Sequence, residues 1–178
     1  MSVVTLAGCS PEKKANKENF KKAVTEWQQQ DGGYLAGTKT LPTSMPVENA
    51  PKLVVRNFAS LSFAGMVDVI KEQAANSNAG ENAQLQYKYS LTESGKKYYT
   101  PGKGFKVSNP EDIEIMEFTP PAEDAKEKTK TVVVKYKYKD VPTELGKLVN
   151  KDAKVENYDG VSKLILTDKG WKVSVSSN

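Results

Sequence analysis

The chain has 178 residues and a mass of 19.6 kDa, enough for one substantial core or two small ones. Its 26 basic residues against 22 acidic ones leave a net charge of +4, too small to point to nucleic acid, and no apolar run approaches the roughly 20 residues that span a bilayer. Histidine is absent and Cys9 is the single cysteine, which excludes histidine acid–base catalysis, an internal disulfide and a multi-cysteine zinc site.

The first local signal is Leu6-Ala7-Gly8-Cys9, preceded by Ser2-Val3-Val4-Thr5 and followed by the polar Ser10-Pro11-Glu12-Lys13-Lys14. Small residues at 7 and 8 let an extended backbone enter a protease cleft, and the thiol of Cys9 can carry a thioether-linked lipid. The four residues resemble the bacterial lipobox, cut just before a cysteine that is then lipidated. The resemblance implies a signal-peptide remnant over 1–8 and a lipidated cysteine with a polar tether over 9–16. It also implies codons upstream of Met1 for a basic residue and an apolar run. Ser10 after the cysteine resembles lipoproteins sorted to the outer membrane of Gram-negative bacteria, there facing the periplasm.

Phe20, Ala23, Val24 and Trp27 fall at helical spacing and predict a helix over 17–30, with Asn16 as its N-cap, Asp31-Gly32-Gly33 as its stop, and Trp27 buried. A loop follows over 34–46, then a helix from Pro51 whose inner face carries Leu53, Val54, Phe58 and Leu61. Residues 66–72 read as a strand, 74–83 as a polar hairpin tip, and Leu85, Tyr87, Tyr89 and Leu91 as one face of the return strand. Thr92 can cap a short helix through Lys97. The stretches Leu61-Ser62-Phe63-Ala64-Gly65-Met66-Val67 and Tyr89-Ser90-Leu91-Thr92-Glu93-Ser94-Gly95-Lys96 resemble the exit of the third helix and the segment after the wing in winged-helix domains. That likeness implies a winged-helix half over 17–99.

The remainder, 100–178, predicts strands at 112–118, 130–139, 161–167 and 171–176, an exposed hairpin from Pro120 to Lys128, a short helix over 143–150 and a tight turn at Leu166–Trp171. The expected class is therefore α+β, a helical, winged-helix-like first half followed by an antiparallel β-sheet. The turn Leu166-Thr167-Asp168-Lys169-Gly170 is similar to Leu91-Thr92-Glu93-Ser94-Gly95, a similarity read as coincidence. Lipobox, first half and β-rich second half together resemble a group of uncharacterised proteobacterial lipoproteins, a likeness that implies a location and no activity.

The best candidate contact surface is Lys96, Lys97, Lys103, Phe105 and Lys106, lysines interleaved with aromatics that could hold an anionic surface or an envelope protein. The competing reading packs Tyr98 and Tyr99 inward and leaves the lysines in water. In 131–139 the alternation places Val132, Val134, Tyr136 and Tyr138 in the core and Lys135, Lys137 and Lys139 outside. Glu111, Asp112, Glu114 and Glu117 read as a solvated strand face rather than a carboxylate pair for catalysis. Arg56 is the single arginine among 26 basic residues, which disfavours base-specific DNA readout. No calcium loop, phosphate-binding glycine loop or nucleophile elbow is present, so no cofactor or metal is expected. The expected function is a non-enzymatic, lipid-anchored envelope protein, held to the membrane through Cys9. The alternative is a cytosolic winged-helix nucleic-acid binder.

Overall fold

The computed structural model describes residues 10–74, 84–121 and 130–174; Cys9, the 75–83 tip and most of the Pro120–Lys128 hairpin lie outside the described residues. A 3-10 turn, Pro11–Lys13, precedes α1 (Lys17–Asp31), β1 (Thr43–Pro46), α2 (Lys52–Phe63), β2 (Val67–Gln73) and β3 (Leu85–Leu91). Then come α3 (Glu93–Lys96), β4 (Tyr99–Thr100), β5 (Gly104–Phe105), β6 (Ser108–Phe118), β7 (Thr131–Pro142), α4 (Glu144–Val149), β8 (Glu156–Thr167) and β9 (Gly170–Val173). The chain divides into two units: a first of 1–30, 110–140 and 155–178, and a second of 31–109 and 141–154.

In the first unit the strands run in the order β6-β7-β8-β9, with β8 antiparallel to both β7 and β9. Val132 and Val134 of β7 pair with Leu164 and Ser162 of β8, so alternate residues make one apolar face. A sheet with one apolar face needs a cover. Phe20, Ala23 and Val24 of α1 supply it, in one cluster with Ile113, Ile115, Val132, Val134, Leu164, Leu166 and Trp171. Phe20 meets Phe118 and Trp171 edge to face, with centroids 5.0 and 5.1 Å away. Asn16 caps α1, its Oδ1 accepting from the Asn19 amide at 2.9 Å. The buried stripe of α1 continues to Gln28, whose Nε2 donates to the Tyr136 hydroxyl at 3.1 Å, and Trp27 is only half-buried. Trp27 stands on the same side of α1 as Phe20, seven residues earlier, so its helix face alone does not bury it.

The second unit has a sheet of order β1-β3-β2 and a small β4-β5 ribbon. Its core gathers Phe58, Leu61, Met66, Val67, Tyr89, Phe105 and Leu145, with Phe58 stacked on Tyr89 at 4.0 Å. Two mini-helices are seated in the same way. Thr92 gives its N–H to the Met66 carbonyl and its hydroxyl to the Gly65 carbonyl, and Thr92 Oγ1 accepts from the Gly95 N–H. Thr143 repeats this on Val107, Lys106 and Gly146. Both are Thr-Glu-x-Gly-Lys, and both follow a strand, β3 or β7. A Cβ on Gly95 would lie 1.9 Å from the Met66 carbonyl oxygen, and one on Gly146 2.0 Å from that of Val107. The structural counterpart of Thr92–Lys96 is thus Thr143–Lys147, and the turn at Thr167 is different: its hydroxyl donates to the Gly170 carbonyl.

These observations correct the expected fold class. The protein is mainly β, with nine strands among the described residues and only α1 and α2 longer than two turns. The winged-helix half over 17–99 is not formed as a module, because α1 buries its stripe on the sheet of β6 to β9 while α2 belongs to the other core. An apolar stripe states that a helix has a partner and does not state which one.

Candidate functional site

The lysine and aromatic segment separates into two parts. Phe105 is fully buried in the second unit's core, against Tyr99 at 5.4 Å, so it packs the fold and offers nothing to a partner. Tyr98 is half-buried on the same core, and the Tyr99 hydroxyl donates to the Lys39 carbonyl at 2.7 Å. Lys96 Nζ is 2.5 Å from Glu93 Oε1, and Lys97 is exposed. Lys103 and Lys106 come together on a residue the sequence reading passed over, Tyr34. Their ammonium groups lie 6.0 and 5.7 Å from its ring centroid, with Asp31 3.8 Å from Lys103. An isolated bridge between Tyr34 and Lys106 fixes this arrangement.

On the outer face of the first unit's sheet, acids and lysines neutralise one another. Lys139 Nζ donates to Asp112 Oδ2 at 2.6 Å and Lys135 to Glu117 Oε2 at 3.0 Å. The Lys139 ammonium, as hydrogen-bond donor and as charge, holds the Asp112 carboxyl below the usual carboxylate range. Glu111 and Glu114 are exposed, and no three His, Cys, Asp or Glu side chains among the described residues group as a metal site. At one end of the inner face Tyr138 pairs with Tyr158 across β7 and β8, rings stacked at 5.7 Å, and Asp140 pairs with Glu156 beyond them. Burial, then Asp140, pushes the Tyr138 phenol up; the hydrogen bond to Glu156, then burial, pushes up that of Tyr158.

The most constructed feature lies where the chain enters the first unit. The Trp171 indole N–H is shared between the Lys13 and Lys14 carbonyls, each at 3.2 Å. Asn19 Nδ2 donates to the carbonyls of Pro11 and Lys14 at 2.7 and 2.9 Å. Residues 11–14, within the expected polar tether over 9–16, are fastened to α1 and β9. Beside them opens a cleft of about 60 Å³ lined by Glu12, Asn19, Lys22, Glu26, Lys169, Trp171 and Lys172 among others. The sequence signal for this clamp was Trp171 itself, a ring with one donor that must find an acceptor when buried. No helix among the described residues is long and apolar enough to cross a membrane. No protein-family model matches the chain, and comparison with curated proteins and with solved structures found no similar protein.

Proposed function

We propose that the protein is a lipid-anchored component of the cell envelope, attached through Cys9 and acting by binding rather than by catalysis. The observation that carries this is Leu6-Ala7-Gly8-Cys9 followed at once by a polar segment, the residue types that lipoprotein cleavage and acylation require. The clamp on residues 11–14 is compatible with it, since the fastened backbone begins at Pro11, two residues past Cys9 in the sequence. Several acyl chains, each methylene worth about 0.8 kcal/mol in the bilayer, would hold the protein where one chain binds only reversibly. The membrane so occupied is the outer membrane of a Gram-negative cell, with the folded units in the periplasm.

The test is metabolic labelling with an alkynyl palmitate in a Gram-negative host, using the gene with its own upstream sequence. Wild type is expected to take up label and to sediment with outer membrane. Cys9→Ser is expected to lose the label, and inhibition of the lipoprotein signal peptidase to accumulate a longer precursor. An unlabelled wild-type protein in the soluble fraction overturns the proposal.

A further inference from the structure

We infer that the end of the first unit formed by residues 11–22 and 168–172 is a docking surface for anionic phospholipid headgroups, so that the anchor orients the protein as well as retaining it. This rests on the lipid-anchored reading and adds a surface and a partner to it. Two independent observations carry it, one of geometry and one of charge.

The geometry is the clamp. Four residue steps separate Cys9 from Lys13, at most about 14 Å of extended chain. At Lys13 and Lys14 the backbone is already bonded to Trp171 of β9, and through Asn19 to α1. An anchored cysteine thus keeps this end of the unit near the headgroups and supplies a high local concentration of lipid surface at no further entropic cost.

The charge is concentrated at the same end. The two segments hold seven lysines against Glu12, Glu18 and Asp168, an excess equal to the chain's whole net charge of +4. Lys14, Lys22, Lys169 and Lys172 are exposed, and the last three share the cleft beside Glu12. Glu26, also in the cleft, offsets one of these charges. A basic side chain at an anionic membrane surface favours the bound orientation roughly fivefold, and the attraction fades within about 8 Å at physiological salt. A surface held within one short tether length is placed to use it; the acid-neutralised outer sheet face is not.

The experiment uses the single cysteine. The full chain is coupled through Cys9 to a maleimide phospholipid in nanodiscs, which supplies the anchor by construction. Amide broadening by a gadolinium-chelating lipid is then mapped in discs with and without phosphatidylglycerol. Amides of 11–22 and 168–172 are expected to broaden selectively in anionic discs. Replacing Lys14, Lys22, Lys169 and Lys172 together by Gln removes four such factors, about a hundredfold or more, and should abolish that selectivity. The same charge change at Lys137, Lys147, Lys151 and Lys163, all exposed, should leave it in place. Near-UV dichroism of the aromatic side chains checks that each variant is folded. Broadening that is independent of phosphatidylglycerol, that centres on other segments, or that survives the first set of substitutions overturns the inference. Failure of palmitate labelling in cells would remove the natural anchor and leave the disc result to stand or fall by itself.

Discussion

The first unit builds its core from positions that repeat: alternate residues of β6, β7 and β8, and one stripe of α1. The second adds to the helix and strand residues Phe58, Leu61, Val67 and Tyr89 a set of positions that do not. Leu35, Leu41 and Met45 come from the 34–46 stretch, Phe105 from a two-residue strand, and Leu145 from a helix of six residues. Periodic elements bury side chain against side chain, and they leave the backbone to its own ladder. Short elements and loops must also satisfy and pack their backbone, so the second unit brings main chain against main chain. Gly95 on Met66 and Gly146 on Val107 are the contacts where that shows. The first unit should therefore respond to lost side-chain volume, and the second to added backbone bulk as well.

The largest effects expected are those of Phe20→Ala and Phe58→Ala, fully buried rings of the two cores, each costing about 3–5 kcal/mol. Native-state hydrogen exchange should localise them, with protection lost in β7 and β8 for Phe20→Ala and in β3 for Phe58→Ala. Equal loss throughout the chain in both variants would mean that the two cores unfold as one, and the comparison would fail. Next come Gly95→Ala and Gly146→Ala, where a Cβ would stand about 2 Å from a carbonyl oxygen. Forced overpacking of this kind costs about 1–3 kcal/mol. The loss should appear only in second-unit amides, and indifference to both substitutions would show that backbone packing is not what holds α3 and α4.

Smaller again are Thr92→Ala and Thr143→Ala. Each removes an N-cap worth about 1 kcal/mol and a hydroxyl donated to a carbonyl at 2.7 or 3.1 Å. Thr→Ser at either position keeps both bonds and should recover most of the midpoint in denaturant titration. Because the two caps are built alike, the two threonines should give matching losses; a large effect at one and none at the other would break the equivalence.

What was legible in the sequence follows the same division. β7 and β8 announce themselves by alternation, α1 by its stripe and by Asn16, and the lysines of β7 as the outer, wetted face. The start of β8 is not legible, because Glu156-Asn157-Tyr158-Asp159-Gly160 carries no apolar alternation and pairs through its register with β7 alone. The partner of α1 is not legible either, since Phe118 and Trp171 stand far along the chain from Phe20. In the second unit Thr92 and Gly95 were visible as a cap, yet the likeness was drawn to Thr167 rather than Thr143. The shared residues Thr and Gly specify a turn, and only the carbonyls of Met66 and Val107 show which turns are equivalent. At the candidate sites Lys103 and Lys106 were legible as cations and are half-buried in the structure, while Tyr34 and the Trp171 clamp depend on contacts that no local pattern encodes.

The smallest effect concerns the outer face of the first unit's sheet, and it measures how little that face adds to the inner one. Asp112 and Lys139 are solvent-exposed, so their attraction is screened and its contribution to stability should be slight. Its sign is nonetheless fixed. The folded Asp112 carboxyl titrates below its unfolded value of roughly 4, so the pair's contribution is present above that pH and is lost as pH falls through the lower folded value. The partner ammonium is raised in the fold, so the same contribution is present below about pH 10 and is lost as pH rises through the higher folded value. Carbon-detected NMR titration should find Asp112 depressed in the wild type and moved upward in Lys139→Gln. Asp112 also has a left-handed backbone, φ +52°, which asparagine adopts readily. Asp112→Asn should then remove the pH dependence while leaving the strand in place, whereas Asp112→Val should cost stability at every pH because the β-branched side chain resists that φ. An Asp112 that titrates like a free carboxylate in the wild type would remove this ion pair from what holds the first unit.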